Sequence, residues 1–190
     1  MTPWLTQGAT LREMRARLAL AAALVFAVVG CGGGQSAAEK WADSVCTNVS
    51  TWQSQVKQAT DDISAKLQSP GQGTLPAIKQ DVHKAVDATS QLTNELKALG
   101  KPDTQSGAQA KQQIDGLSSQ LDAAVKKARQ ALDNLPAGAG LRETANTLAP
   151  LAPDLKSLAS SAKSTLSSIQ ATGSDMKDGF KKADSCKQYR

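Results

Sequence analysis

Cys31, Cys46 and Cys186 are the only thiols in this chain, and His83 is its only imidazole. A cysteine can be acylated, paired with another cysteine or bound to a metal, and its neighbours and compartment decide which. One histidine excludes a two-histidine zinc motif, makes a Ser-His-Asp hydrolase hard to build, and denies a carboxylate di-iron bundle its Glu-x-x-His pairs. There is no Cys-x-x-Cys-His haem attachment, Gly-x-x-x-x-Gly-Lys phosphate loop or Gly-x-Ser-x-Gly elbow. Beyond Cys31 the only glutamates are Glu39, Glu95 and Glu143, each in a different predicted helix. Asp61 and Asp62 are adjacent, but neighbours on a helix point about 100° apart and make a poor acid/base couple. His83 sits one place off a predicted core position with Asp87 one turn later, as a solvated flank residue making a weak ion pair would; a haem ligand or pH sensor is the alternative. The chain is expected to be no enzyme and to use no cofactor or metal.

Cys31 stands in a different setting from the other two. Residues 18–29 form an unbroken apolar run behind Arg15 and Arg17, too short for a membrane span of about 20 residues but suited to a signal-peptide core. The two arginines are not adjacent, which favours a general secretory signal over a twin-arginine one. Residues 14–30 alone make a complete short signal, so either Met1 or Met14 can serve as the start. The run closes on Val28-Val29-Gly30-Cys31, which resembles the bacterial lipobox, where a small residue precedes a lipid-modified cysteine. The resemblance implies cleavage between Gly30 and Cys31, a diacylglycerol on the Cys31 sulfur, and attachment to the outer face of the cell membrane. It covers only the first 31 residues, and the alanine-rich style is similar to lipoproteins of high-GC Gram-positive bacteria. Gly32-Gly33-Gly34-Gln35 then reads as a flexible leash. The expected organisation is a signal peptide over 1–30, a tether over 31–35 and a folded domain over 36–190.

The folded part must be helical. Aromatic content is 3%, Ala and Leu dominate the apolar set, and no period-two alternation occurs. Ser36-Ala37-Ala38-Glu39 has capping-box spacing. Behind it Trp41, Val45, Val49, Trp52, Val56, Ile63 and Leu67 mark one helical face ending near Gln68, before Ser69-Pro70-Gly71. A second stripe runs through Leu75, Ile78, Val82, Leu92 and Leu96, with Gly100 placed for a left-handed C-cap. A third helix is predicted from about Asp103, through Ile114, Leu117 and Leu121 to Leu132. The last stretch, 141–183, is too long to flank the others as one rod, and Pro150 and Pro153 interrupt it. Residues 141–149 are therefore predicted to form a separate short helix folded over one end. Short connections favour antiparallel neighbours, so the expected fold is an all-α, up-down-up-down four-helix bundle with a kinked or split last helix.

In that topology the first helix begins and the last ends at the same end, which brings Cys46 near Cys186. An even pair in an exported chain is expected to form a disulfide; two free buried thiols, or a metal pair short of ligands, are the alternatives. A bridge closing so long a loop is worth up to about 5 kcal/mol in the chain-entropy model. Arg12, Glu13, Arg15 and Arg17 precede Cys31, leaving the rest of the chain only weakly positive. That excess gives no case for nucleic-acid binding. Lys177, Lys181, Lys182, Lys187 and Arg190 are the densest basic group, suited to a helix C-terminus or to anionic headgroups. The leading expectation is a non-enzymatic envelope lipoprotein acting as a helical interaction module, its partners the membrane and an unnamed envelope protein. The alternative is a small-molecule-binding bundle, and a third possibility is self-association through coiled coils. A cavity lined by mixed polar and apolar groups beneath the turn at residues 150–153 would favour a ligand; a filled Ala/Leu core with an exposed apolar patch would favour a protein partner.

Overall fold

The computed structural model describes residues 34–136 and 138–190. The expected signal peptide 1–30, the Gly30–Cys31 cleavage point and the lipidation residue Cys31 lie outside the described residues, as does most of the tether. Gln35–Arg190 forms one compact unit. It is all-helical, with no strand among the described residues.

Helix α1 spans Ala37–Gln68, and the Ser36 side chain caps it by accepting the Glu39 amide at 3.1 Å. The stripe from Trp41 to Val56 is buried, as its period requires. After Gln68 the chain turns through Gly73, whose φ of 81° lies in the left-handed region open to glycine. Helix α2 follows, Thr74–Ala98. Gly100 does not form the left-handed C-cap its position suggests, since Gly73 is the only positive-φ residue among those described. The chain instead leaves α2 extended at Leu99, and the Gly100 carbonyl accepts the Trp41 indole N–H at 2.8 Å. Helix α3 starts at Gly107 rather than Asp103 and runs to Asp133. The residues before it are held in turns by Thr104 N–H to Pro102 C=O and Gly107 N–H to Thr104 C=O.

The last stretch divides as the prolines require, with one further break. Helix α4 is Leu141–Leu148 and helix α5 is Leu151–Gln170, with Pro150 between them as the N-cap of α5. Pro153 sits inside the first turn of α5, where its missing N–H has no intrahelical partner to lose. The break therefore falls at Ala149-Pro150 alone. A second break near Gly173 was not expected; α6 is Ser174–Lys182, and a 3-10 turn covers Asp184–Tyr189. Its cause is tertiary. Asp175, in the first turn of α6, accepts the Ser106 amide at 3.1 Å and hydroxyl at 2.9 Å, fixing α6 to the turn before α3.

In the packing, α1 lies against α2 and α6, α2 against α3, and α3 against α5, while α4 rests on α2 and α3. Two of the buried hydroxyls are satisfied along their own helices: Thr93 donates to Thr89 C=O at 2.8 Å and Ser118 to Ile114 C=O at 2.9 Å. Two apolar cores result. The larger holds Trp41, Trp52, Leu96, Leu121, Leu166 and Phe180; the smaller gathers Ile78, Val82, Val86, Val125, Leu148 and Leu151.

Candidate functional site

Cys46 and Cys186 are paired as a disulfide across 140 residues, their Cα atoms 5.2 Å apart and both side chains fully buried. The bridge joins α1 to the 3-10 turn. Beside it Ser185 donates its amide to the Asp43 carboxylate at 3.2 Å and its hydroxyl at 2.7 Å. Tyr189 donates its hydroxyl to Gln53 at 2.9 Å; burial pushes the Tyr189 pKa up to about 12. Trp41 meets Phe180 edge-on at 6.4 Å between ring centroids. Helix α6 approaches α1 so closely that a Cβ on Gly179 would come within 2.7 Å of the Ala38 backbone. This end of the molecule is filled and cross-linked. It offers structure and no chemistry.

At the other end of α1 the stripe stays in phase but loses its cover. Ile63 is half-buried and Leu67 is 41% exposed, the only large apolar side chain that is exposed among the described residues. Leu75 at the start of α2, and Ala124, Ala128 and Leu132 toward the end of α3, are likewise only half-buried. Between them lies a cavity of about 340 Å³, within the range of small-molecule sites, about 300–1,000 Å³. Ile78, Val82, Val86 and Val125 form its inner wall, and Leu148, Ala149, Leu151 and Ala152 close it from the α4–α5 elbow. Ser64, Leu67 and Asn146, all exposed, stand at its mouth. Its mouth is open to solvent, so a ligand would displace water from a largely apolar space.

The charges near the cavity are already spoken for. Asp154 is the one ionisable residue in its lining, and it accepts from Lys127 at 2.6 Å. Behind the α2 wall, Asp81 is 1% exposed and ion-paired to both Lys66 and Lys84. Burial alone would raise the Asp81 pKa, but the two ammonium groups outweigh it and hold it below the usual value. Asp81 escaped the sequence reading, although it lies three residues after Ile78 and four before Ala85, inside the α2 stripe. A second depression, lined by Gln55, Gln58, Asp62, Lys84, Asp87 and Gln91 among others, has solvated walls where a ligand would exchange water for similar contacts.

His83 and Asp87 are both exposed, as expected of a solvated flank, but the expected ion pair between them does not form. Asp61 pairs with Lys57 on the same helix face. Among the described residues no three His, Cys, Asp or Glu side chains gather closely enough to hold a metal, and no helix is long and apolar enough to cross a membrane. In the basic group near the C-terminus, Lys187 pairs with Asp184 at 2.8 Å. Arg190 donates to the Ala183 carbonyl at 2.8 Å, tying the end of the chain to the end of α6. The least secured element is α4. Its N-cap Gly140 supplies no side-chain bond, and the Thr144 hydroxyl is buried without a hydrogen-bond partner. No family model, curated protein or solved structure matches this chain.

Proposed function

We propose that this chain is a lipid-anchored extracytoplasmic lipoprotein, not an enzyme, whose helical domain is a binding module for an apolar small molecule. The cavity beneath the α4–α5 elbow carries this reading. It is concave and largely apolar, and Leu67, the lone exposed large apolar residue among those described, stands on its rim rather than in a separate patch. Those features favour a ligand over a docked protein. We read the arrangement as an antiparallel four-helix bundle whose fourth member is split into α5 and α6. The burial gradient supports it, because the late part of α1, the early part of α2 and the late part of α3 are the thinly covered parts. The cavity starts at Thr60, about 35 Å of helix rise beyond Ala37, where α1 begins. A lipid on Cys31 would hold the domain by the opposite end and leave the mouth free.

Native mass spectrometry of Gln35–Arg190, recovered from its own cells without detergent, tests the binding reading. The expected spectrum shows a small-molecule adduct that disappears on denaturation and is missing from Ala128→Phe, which puts a ring into the cavity. A bare polypeptide mass in both proteins contradicts it. For the anchor, a clickable fatty acid fed to cells should label the full chain, and Cys31→Ala should remove the label and the protein from the membrane fraction. Undiminished labelling of Cys31→Ala contradicts that part.

A further inference from the structure

We infer that the ligand is an amphiphile with a single hydrocarbon tail, the tail inside the cavity and the polar head at the mouth beside Ser64 and Asn146. This rests on the cavity being a ligand site, and it names the ligand's chemistry from what the walls can and cannot recognise.

The inner wall has no spare hydrogen-bonding group with which to orient a polar molecule. Thr89 reaches the lining, but its hydroxyl accepts the Trp52 indole N–H at 3.0 Å and donates to Ala85 C=O at 2.7 Å. Thr60 donates to carbonyls of its own helix, those of Val56 and Lys57. The single lining carboxylate, Asp154, is held by Lys127. A polar or charged group pushed inside would lose water and gain nothing in return, whereas methylene groups lose nothing by entering. The mouth has the opposite character, since exposed Ser64 and Asn146 flank exposed Leu67. A head group there keeps its water while the first carbons of the tail lie on Leu67. At about 340 Å³ the space is at the small end of ligand pockets, room for one tail and not for two.

Trp52 reports on this site without a label, because its indole N–H is bonded to the hydroxyl of Thr89, a residue of the cavity lining. The test titrates dodecan-1-ol, sodium dodecanoate and small phosphatidylglycerol vesicles separately into Gln35–Arg190, which contains both apolar cores and the disulfide. Tryptophan fluorescence is followed, in a Trp41→Phe background so that Trp52 alone is read. The expected result is one-to-one saturation by the alcohol and the carboxylate alike and none by the vesicles, with Ala128→Phe weakening both by at least about a hundredfold. Circular dichroism checks that the filled variant is folded, and Ala85→Leu replaces it if it is not. Equal binding by the filled variant, or saturation by the two-tailed lipid alone, overturns the inference. If neither single-tailed probe binds but the native spectrum carries an adduct, the tail assignment falls and the binding reading stands. If there is neither adduct nor binding, both fall.

Discussion

Around Cys46, helix α1 is buried in the larger core with residues of α2, α6 and the 3-10 turn; Ile63 is only half-buried, at the edge of the smaller core. Both regions carry aliphatic residues at helical spacing, but the aromatic ones, Trp41, Trp52, Phe180 and Tyr189, all belong to the larger core. What also differs is what reaches them. Near Cys46, α6 supplies Met176 and Phe180 and the 3-10 turn supplies Cys186, all fully buried, and the disulfide ties that turn to α1. At the far end the chain spends residues 141–150 on a short helix and an elbow that lean on α2 and α3, so α1 loses one neighbour and a cavity opens. An apolar stripe thus becomes core or cavity wall according to whether a further element completes it. The energetics follow the same division, with redundancy at the clamped end and unfilled space at the other.

That contrast can be broken most severely at the clamp. Replacing both Cys46 and Cys186 by serine should lower unfolding free energy by about 2–5 kcal/mol in urea titrations while leaving tail binding within about twofold. A large loss of binding would mean that the two ends are not independent. Gly179→Val forces side-chain atoms into the Ala38 backbone, and should cost about 1–3 kcal/mol by overpacking, read from the same titrations. A value near zero would mean that α6 does not need its close approach to α1.

Acid should loosen the clamped end through Asp175. The Ser106 amide is the main cause that holds its pKa at about 2, against an ordinary 3.8. A depressed carboxylate contributes stability that is fully present above its unfolded pKa and disappears as pH falls through the folded one. Thermal melts between about pH 4 and 2 should therefore drop more steeply for the wild type than for Asp175→Asn, and parallel curves would exclude this anchor. The smallest effect belongs to the open end. Leu67→Ser should change stability by less than about 0.5 kcal/mol yet weaken dodecanol binding several-fold, and unchanged binding would remove Leu67 from the mouth.

The helices and the clamp were legible because they rest on local rules. Ser36 and Glu39 announce the start of α1, Pro150 the elbow, and the stripes the buried faces, from which the meeting of Cys46 with Cys186 follows. The break before α6 depends on Asp175 reaching Ser106, a contact between residues far apart in sequence, although Gly173-Ser174-Asp175 is a helix-start pattern that passed unnoticed. Gly100 misled because its carbonyl is claimed by Trp41, and a tertiary bond outweighed the local preference for a left-handed cap. A cavity under the elbow was a stated possibility, but its presence could not be read from the pattern. Ile63 and Leu67 are aliphatic and in phase with Val45 and Val49, and nothing local says that their cover ends before reaching them.

Amide hydrogen exchange on Gln35–Arg190, with and without saturating dodecan-1-ol, tests the division most directly. Without ligand, residues 60–67 and 141–148 should exchange quickly and the segments around Cys46 and Cys186 slowly; ligand should slow the first pair and leave the second unchanged. Uniform protection along α1, or a ligand effect centred on the disulfide, would contradict the account.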